Sequence, residues 1–174
     1  AQHYPELTQR FSVRSVPLTI LDHRLFLTGV IPASELADRI LARGSERYEA
    51  DLFRSLLEEG RVDEATAHLG SSGAGAHFLS AWRDSTTSSR MGLLLVAENA
   101  LAADPVSLDG IVSDLLPVLR SEDGALRGDT ADLLGRIGHP AAEAELTPLL
   151  DDPNPDVAEV ASDALDQLRE RAES

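Results

Sequence analysis

The residues with the most evident chemical capacity lie in an acidic turn late in the sequence. Asp152, Asn154 and Asp156 alternate with Pro153 and Pro155, and Asp163 follows at the twelfth place. The first, third, fifth and twelfth positions of a calcium loop thus carry oxygen donors. Such a loop needs a glycine at its sixth position to turn sharply, and Val157 stands there. The segment is read instead as an acidic turn that caps the helix after it. Gly70 to Gly75 suggests a phosphate cradle, but no Gly-Lys-Ser/Thr ending closes it and no strand precedes it. A loop between helices is the simpler reading.

Histidines stand at 3, 23, 68, 77 and 139. None forms an HExxH pattern or places two ligands on one helical face with a carboxylate, so no metal site is expected. His139, before Pro140, stands where a helix ends and suits a dipole-complementing cap. Neither Ser80 nor Ser89 sits in a nucleophile-elbow pattern. Cysteine is absent, which removes disulfides, thiolate metal sites and a thiol nucleophile. No catalytic residue and no cofactor are expected.

Trp82 and Phe78 lie one helical turn apart, a spacing that favours core packing over an exposed aromatic contact. Glu98 follows a strongly apolar stretch, and Arg90, Arg127 and Asp129 fall near the starts of helices. An Asp–Arg ladder between neighbouring units is the structural reading; a polar strip on a concave face receiving a partner is the functional one.

The charge narrows the partners. Fifteen basic and 30 acidic residues leave a net charge of −15, which repels nucleic-acid phosphates and anionic membrane surfaces. Apolar residues make up 43% and aromatic ones 4%, a balance suited to small-residue helix packing. Every basic residue is arginine, which fits a GC-rich bacterial genome, with a salt-loving host as a second source. No apolar run approaches the ~18 residues that span a bilayer, and no signal peptide is visible. A cytoplasmic location is expected. Ala1 falls inside a helical pattern without an initiator Met, so the natural start is expected upstream.

The pattern from Ala1 to about Gln9 is helical. Val13–Leu21 and Arg24–Thr28 are rich in strand formers, with Asp22 and His23 as a tight turn. Pro32 to Glu35 starts a helix that places Leu36, Ile40 and Leu41 on one face and stops at Gly44. From Ser45 onward only helices are expected: Glu49–Glu59, Val62–Leu69, His77–Trp82 and Arg90–Leu101, the last with an apolar centre that should be buried on several sides.

A shift of 31 residues aligns Leu115, Pro117, Val118 and Leu119 with Leu146, Pro148, Leu149 and Leu150. It also aligns Leu126 with Val157, Leu134 with Leu165 and Ile137 with Leu168. A weaker third copy places Arg90 opposite Arg127 and Val96 opposite Leu133. Each copy reads as a helix ending in a leucine pair, an acidic turn and a second helix. One such pair cannot bury its own apolar face, so these units stack in rows. The pattern over Leu146–Leu165 resembles the HEAT-like repeat, closely over residues 85–170 and loosely over 46–84. That resemblance implies a helical scaffold with a protein partner.

Tyr4-Pro5-Glu6-Leu7, Phe11-Ser12-Val13, Ser15-Val16-Pro17, Gly29 and Pro32 through Leu36 carry a second resemblance, over residues 4–41. They are similar to the C-terminal half of a thioredoxin-like domain, in particular the glutaredoxin-like disulfide oxidoreductases. The resemblance implies a cis Val16–Pro17 bond, Val16 and Pro17 as the substrate-facing pair, and Gly29 as a close-packing position. It also marks what this chain lacks: the family's first half with its CxxC motif, without which no thiolate can attack a disulfide. Two strands alone make a marginal sheet. The hairpin is therefore expected to lean on the helices, pair with a second copy across its edge, or belong with a further segment.

The expected fold is mainly α: a short α-solenoid of about four HEAT-like helix pairs (residues 45–174), preceded by a thioredoxin-like ββα segment (residues 1–44). The leading function is a protein-binding scaffold, non-catalytic as given. The rivals are the C-terminal part of a thiol–disulfide oxidoreductase and a structural or dimerisation element.

Overall fold

The computed structural model describes residues 16–22, 24–70 and 74–172, with positions 6 and 9 also assigned as helical. The rest of the helix expected over residues 1–9 lies outside the described residues, as do Val13 and His23. A two-stranded antiparallel sheet comes first, β1 (Leu18–Leu21) and β2 (Leu25–Thr28), with Ile20 opposite Phe26. Asp22 makes the turn in the left-handed region at φ 52°, a conformation that aspartate tolerates better than most residues. Gly29 leaves β2 at φ 99°, and a Cβ there would meet open space. Backbone conformation, and not the close packing expected, is why glycine stands there.

Among the described residues, nine α-helical segments follow. They are α1 (Ala33–Leu41), α2 (Glu46–Glu58), α3 (Val62–Leu69), α4 (Ala74–Arg83), α5 (Thr87–Ala103), α6 (Val112–Leu115), α7 (Gly124–Ile137), α8 (Glu143–Leu146) and α9 (Pro155–Ala172). Short 3₁₀ segments flank α6 (Asp109–Ile111, Leu116–Arg120) and α8 (Pro140–Ala142, Thr147–Asp151). Every boundary in these two bent helices repeats at the 31-residue shift. Pro117 and Pro148 explain the bend: neither can donate the backbone bond an α-helix needs there, so the turn tightens.

The helices stack in two rows. In the first row α2 packs on α4, α4 on the bent helix around α6, and that helix on the one around α8. In the second row α3 packs on α5, α5 on α7, and α7 on α9. Each first-row helix also touches its successor in the chain, which gives four antiparallel pairs around one continuous core. The aligned leucines fill it: Leu115, Leu134, Leu146 and Leu165 are all 2% exposed or less. Leu150 departs from its partner Leu119 and is 42% exposed.

The hairpin leans on α2. Leu25 is 1% exposed, and Ser55 Oγ accepts from Phe26 N at 3.0 Å while donating to Phe26 O at 3.3 Å. Arg61 donates to Arg24 O and stacks over the Phe26 ring at 4.8 Å. At the turn, Asp22 accepts from Tyr48 Oη and pairs with Arg43, both at 3.0 Å. Burial first, then the bond to Asp22, pushes the Tyr48 phenol up to about 12. By contrast α1 buries none of its residues, and Leu41 on its apolar face is 83% exposed.

Candidate functional site

The expected ladder exists. Arg90, 2% exposed in its side chain, donates to Asp129 in the next unit at 2.5 Å and lies 3.7 Å from Asp123. Arg127, the corresponding fourth residue of its helix, reaches Asp152 with two parallel bonds of 2.9 and 2.8 Å. That fork geometry is the strongest an arginine offers a carboxylate. The bond to Arg127, then one from the Asn154 amide, holds the Asp152 carboxyl below its ordinary range. The acidic turn is thereby accounted for: Asp152 serves the ladder and Asn154 accepts from the Asp156 amide at 3.0 Å. In α9 the matching position is Ala158.

Trp82 and Phe78 are fully buried and stacked at 5.9 Å, and Trp82 Nε1 donates to Thr130 Oγ1 at 3.0 Å. They are core and offer no exposed aromatic contact. Ser89 forms a capping box with Thr86 at the start of α5, a helix start the pattern placed three residues late. Gly75 lies inside α4, where a Cβ would stand 2.6 Å from the Ile111 side chain; helix packing, not a phosphate, needs this glycine. His139 accepts from the Ala141 amide at 3.2 Å through Nδ1. It caps the segment that follows, Pro140–Ala142, and not the end of the helix before it.

The second-row helices carry a group of exposed and half-buried side chains. Met91, Leu95 and Glu98 lie along α5, Asp129, Asp132 and Arg136 along α7, and Asp163 on α9. Of the apolar centre of α5, expected to be buried on several sides, Leu93, Val96 and Ala97 are buried, while Met91 is 72% and Leu95 44% exposed. Arg136 donates to Glu98 across the helices and to Asp132 within its own. Even so, burial first, then repulsion from Asp129 and Asp163, raises the Asp132 carboxyl. Arg90 pairs with Asp129, and Arg136 is shared between Glu98 and Asp132.

Sequence reasoning missed a further cluster. Glu49 of α2, His68 of α3 and His77 of α4 meet with one ligand-type atom from each within 4.8 Å of the others. His68 Nε2 lies 3.5 Å from Glu49 Oε2, and its ring stacks on His77 at 5.9 Å. Burial, stronger than the opposing pull of Glu49, holds His68 below the usual histidine range. No spacing rule finds such a group, because each residue sits on a different helix.

Val16 and Pro17 stand just before β1, joined by a cis bond, with Val16 67% exposed. They lie at the hairpin end, and Pro17 O accepts from Gly29 N at 2.8 Å.

Residues 112–174 match the family model for HEAT repeats. The stretch holds both bent helices, α7 and α9, the two units in register at 31 residues. No curated protein matches the chain in sequence. The chain is mainly helical, with a stretch at its C-terminal side that matches HEAT repeats, a small two-stranded sheet before the helices, and, among the described residues, no helix long and apolar enough to cross a membrane.

Proposed function

We propose that this protein is a protein-binding helical-repeat scaffold, non-catalytic in the residues given, whose second-row side chains receive a basic, partly apolar segment of its partner. One observation carries the reading: Asp129, Asp132 and Asp163 lie close together, and burial first, then the charges of the two neighbours, raises the Asp132 carboxyl. A fold-stabilising surface disperses like charges, and a partner's arginines or lysines would relieve these. On α5, Met91 and Leu95 add exposed apolar surface, and methionine is enriched at protein interfaces. The same carboxylates repel nucleic-acid phosphates.

The test is a fluorescence-anisotropy titration of a peptide alternating arginine and leucine against the full chain. Saturable binding that weakens at least tenfold in Asp132→Lys or Asp163→Lys, but not in Glu46→Lys on a first-row helix, supports the reading. Absence of saturation, or equal weakening in all three variants, removes these side chains as the site.

A second reading, that the chain is the C-terminal part of a thiol–disulfide oxidoreductase, draws on the exposed apolar residues around the hairpin. Val16, Val30 and Leu41 are 67%, 89% and 83% exposed, and Val16 and Pro17 would then face the substrate. Intact mass and N-terminal sequencing of the natural protein decide it. A CxxC helix upstream supports the oxidoreductase, and its absence leaves the scaffold alone. Pairing of two copies through the hairpin is a third reading, which light scattering across concentration would check.

A further inference from the structure

We propose that Glu49, His68 and His77 form a binding site for one divalent transition-metal ion of the zinc type, which clips the first helix pair to the second. The donor set suits it: two imidazole nitrogens and a carboxylate oxygen are ligands zinc takes, leaving a fourth position for water. The geometry is close to closed. Tetrahedral zinc with bonds of about 2.1 Å holds its ligand atoms about 3.4 Å apart. His68 Nε2 and Glu49 Oε2 already stand 3.5 Å apart, and the whole set lies within 4.8 Å. Side-chain rotation supplies the rest without moving a helix.

His77 Nδ1 is the second indication. It is buried and has no hydrogen-bond partner among the described residues. A bare lone pair or an unsatisfied N–H there costs stability, and a metal ion takes the lone pair. The Glu49 side chain is 25% exposed, which gives an ion a way in from solvent. The net charge of −15 draws cations toward the surface.

The experiment uses tag-free full chain, stripped with chelator and titrated with zinc by calorimetry and with cobalt by visible absorption. The expected result is one ion per chain, cobalt d–d bands of a four-coordinate nitrogen–oxygen site, and a Tm raised by roughly 5–10 °C at a hundredfold excess over Kd. His77→Ala and Glu49→Gln should each weaken binding at least tenfold, while His139→Ala should leave it unchanged. Wild-type protein that binds neither ion saturably overturns the proposal, whatever the variants do. So does binding that survives in His77→Ala or Glu49→Gln protein shown to be folded by circular dichroism.

Discussion

Between α7 and α9 the joint between units is regular. Arg127 reaches one unit onward to Asp152, as Arg90 reaches Asp129 before it, and the leucines align at a constant shift. Between α2, α3 and α4 no such ladder is found among the described residues. Phe53 meets Phe78 edge-on at 5.9 Å and His68 tilted at 6.0 Å, and the His68–His77–Glu49 group fills the remaining space. The two halves use one architecture and different chemistry. The arginines stand at matching places while their partners differ: Asp129 lies within α7 and Asp152 in the turn before α9. An aromatic cluster is bespoke, since each side chain is shaped to its neighbours. The match to HEAT repeats begins at Val112, beyond both the aromatic cluster and Arg90.

The residue that spans the two regimes should matter most. Trp82 sits on α4 and bonds to Thr130 on α7, so Trp82→Ala should cost about 4 kcal/mol by removing a fully buried indole. Urea denaturation followed by circular dichroism measures it; a loss under 1 kcal/mol would show that the halves are energetically separate.

Helix contact in the regular half should be the next most sensitive. A Cβ on Gly135 would stand 2.8 Å from both Cα and Cβ of Ala164, backbone that cannot rotate away. Gly135→Ala is expected to destabilise by about 1–3 kcal/mol, as overpacking does. Gly92 in α5 makes the counterpart, where a Cβ would stand 3.5 Å from the flexible end of Leu57. Gly92→Ala should stabilise by about 0.5–1 kcal/mol through helix propensity. Equal signs for the two substitutions would contradict the packing described.

The ladder predicts a pH signature as well. Asp152 has a lowered carboxyl pKa in the folded protein. Its contribution is therefore present above the ordinary aspartate value of about 3.9, and it is lost as pH falls through the folded value. The stability difference between wild type and Asp152→Asn should be steady at neutral pH and shrink below about pH 4. Thermal melts at a series of pH values measure it, and a difference independent of pH would remove the ion pair from the account.

Much of this was legible in the sequence where local rules govern. Leu115 and Leu146 were placed by the repeat, Val62–Leu69 by its periodicity, and Arg90 and Arg127 by their matching places. Prolines 117 and 148 were aligned, although the tightened turns they impose follow only from the backbone bond each lacks. Met91 and Leu95 were placed inside because an unbroken apolar run has no polar side to orient it. The α1 stripe of Leu36, Ile40 and Leu41 announced a buried face, yet α1 buries none of its residues. Glu49, His68 and His77 were not legible as a group, since their meeting depends on how three helices stack.

The double bond of Ser55 to Phe26 gives the hairpin a direction. In an antiparallel pair, alternate residues turn their backbone groups outward, and those of Phe26 are already taken by a helix side chain. The outward groups of β1 at Leu18 and Ile20 have no further strand beside them among the described residues. Among the described residues, the sheet thus has one flank held by α2 at Phe26, and another, along β1, that carries Val16 and Pro17 at its start.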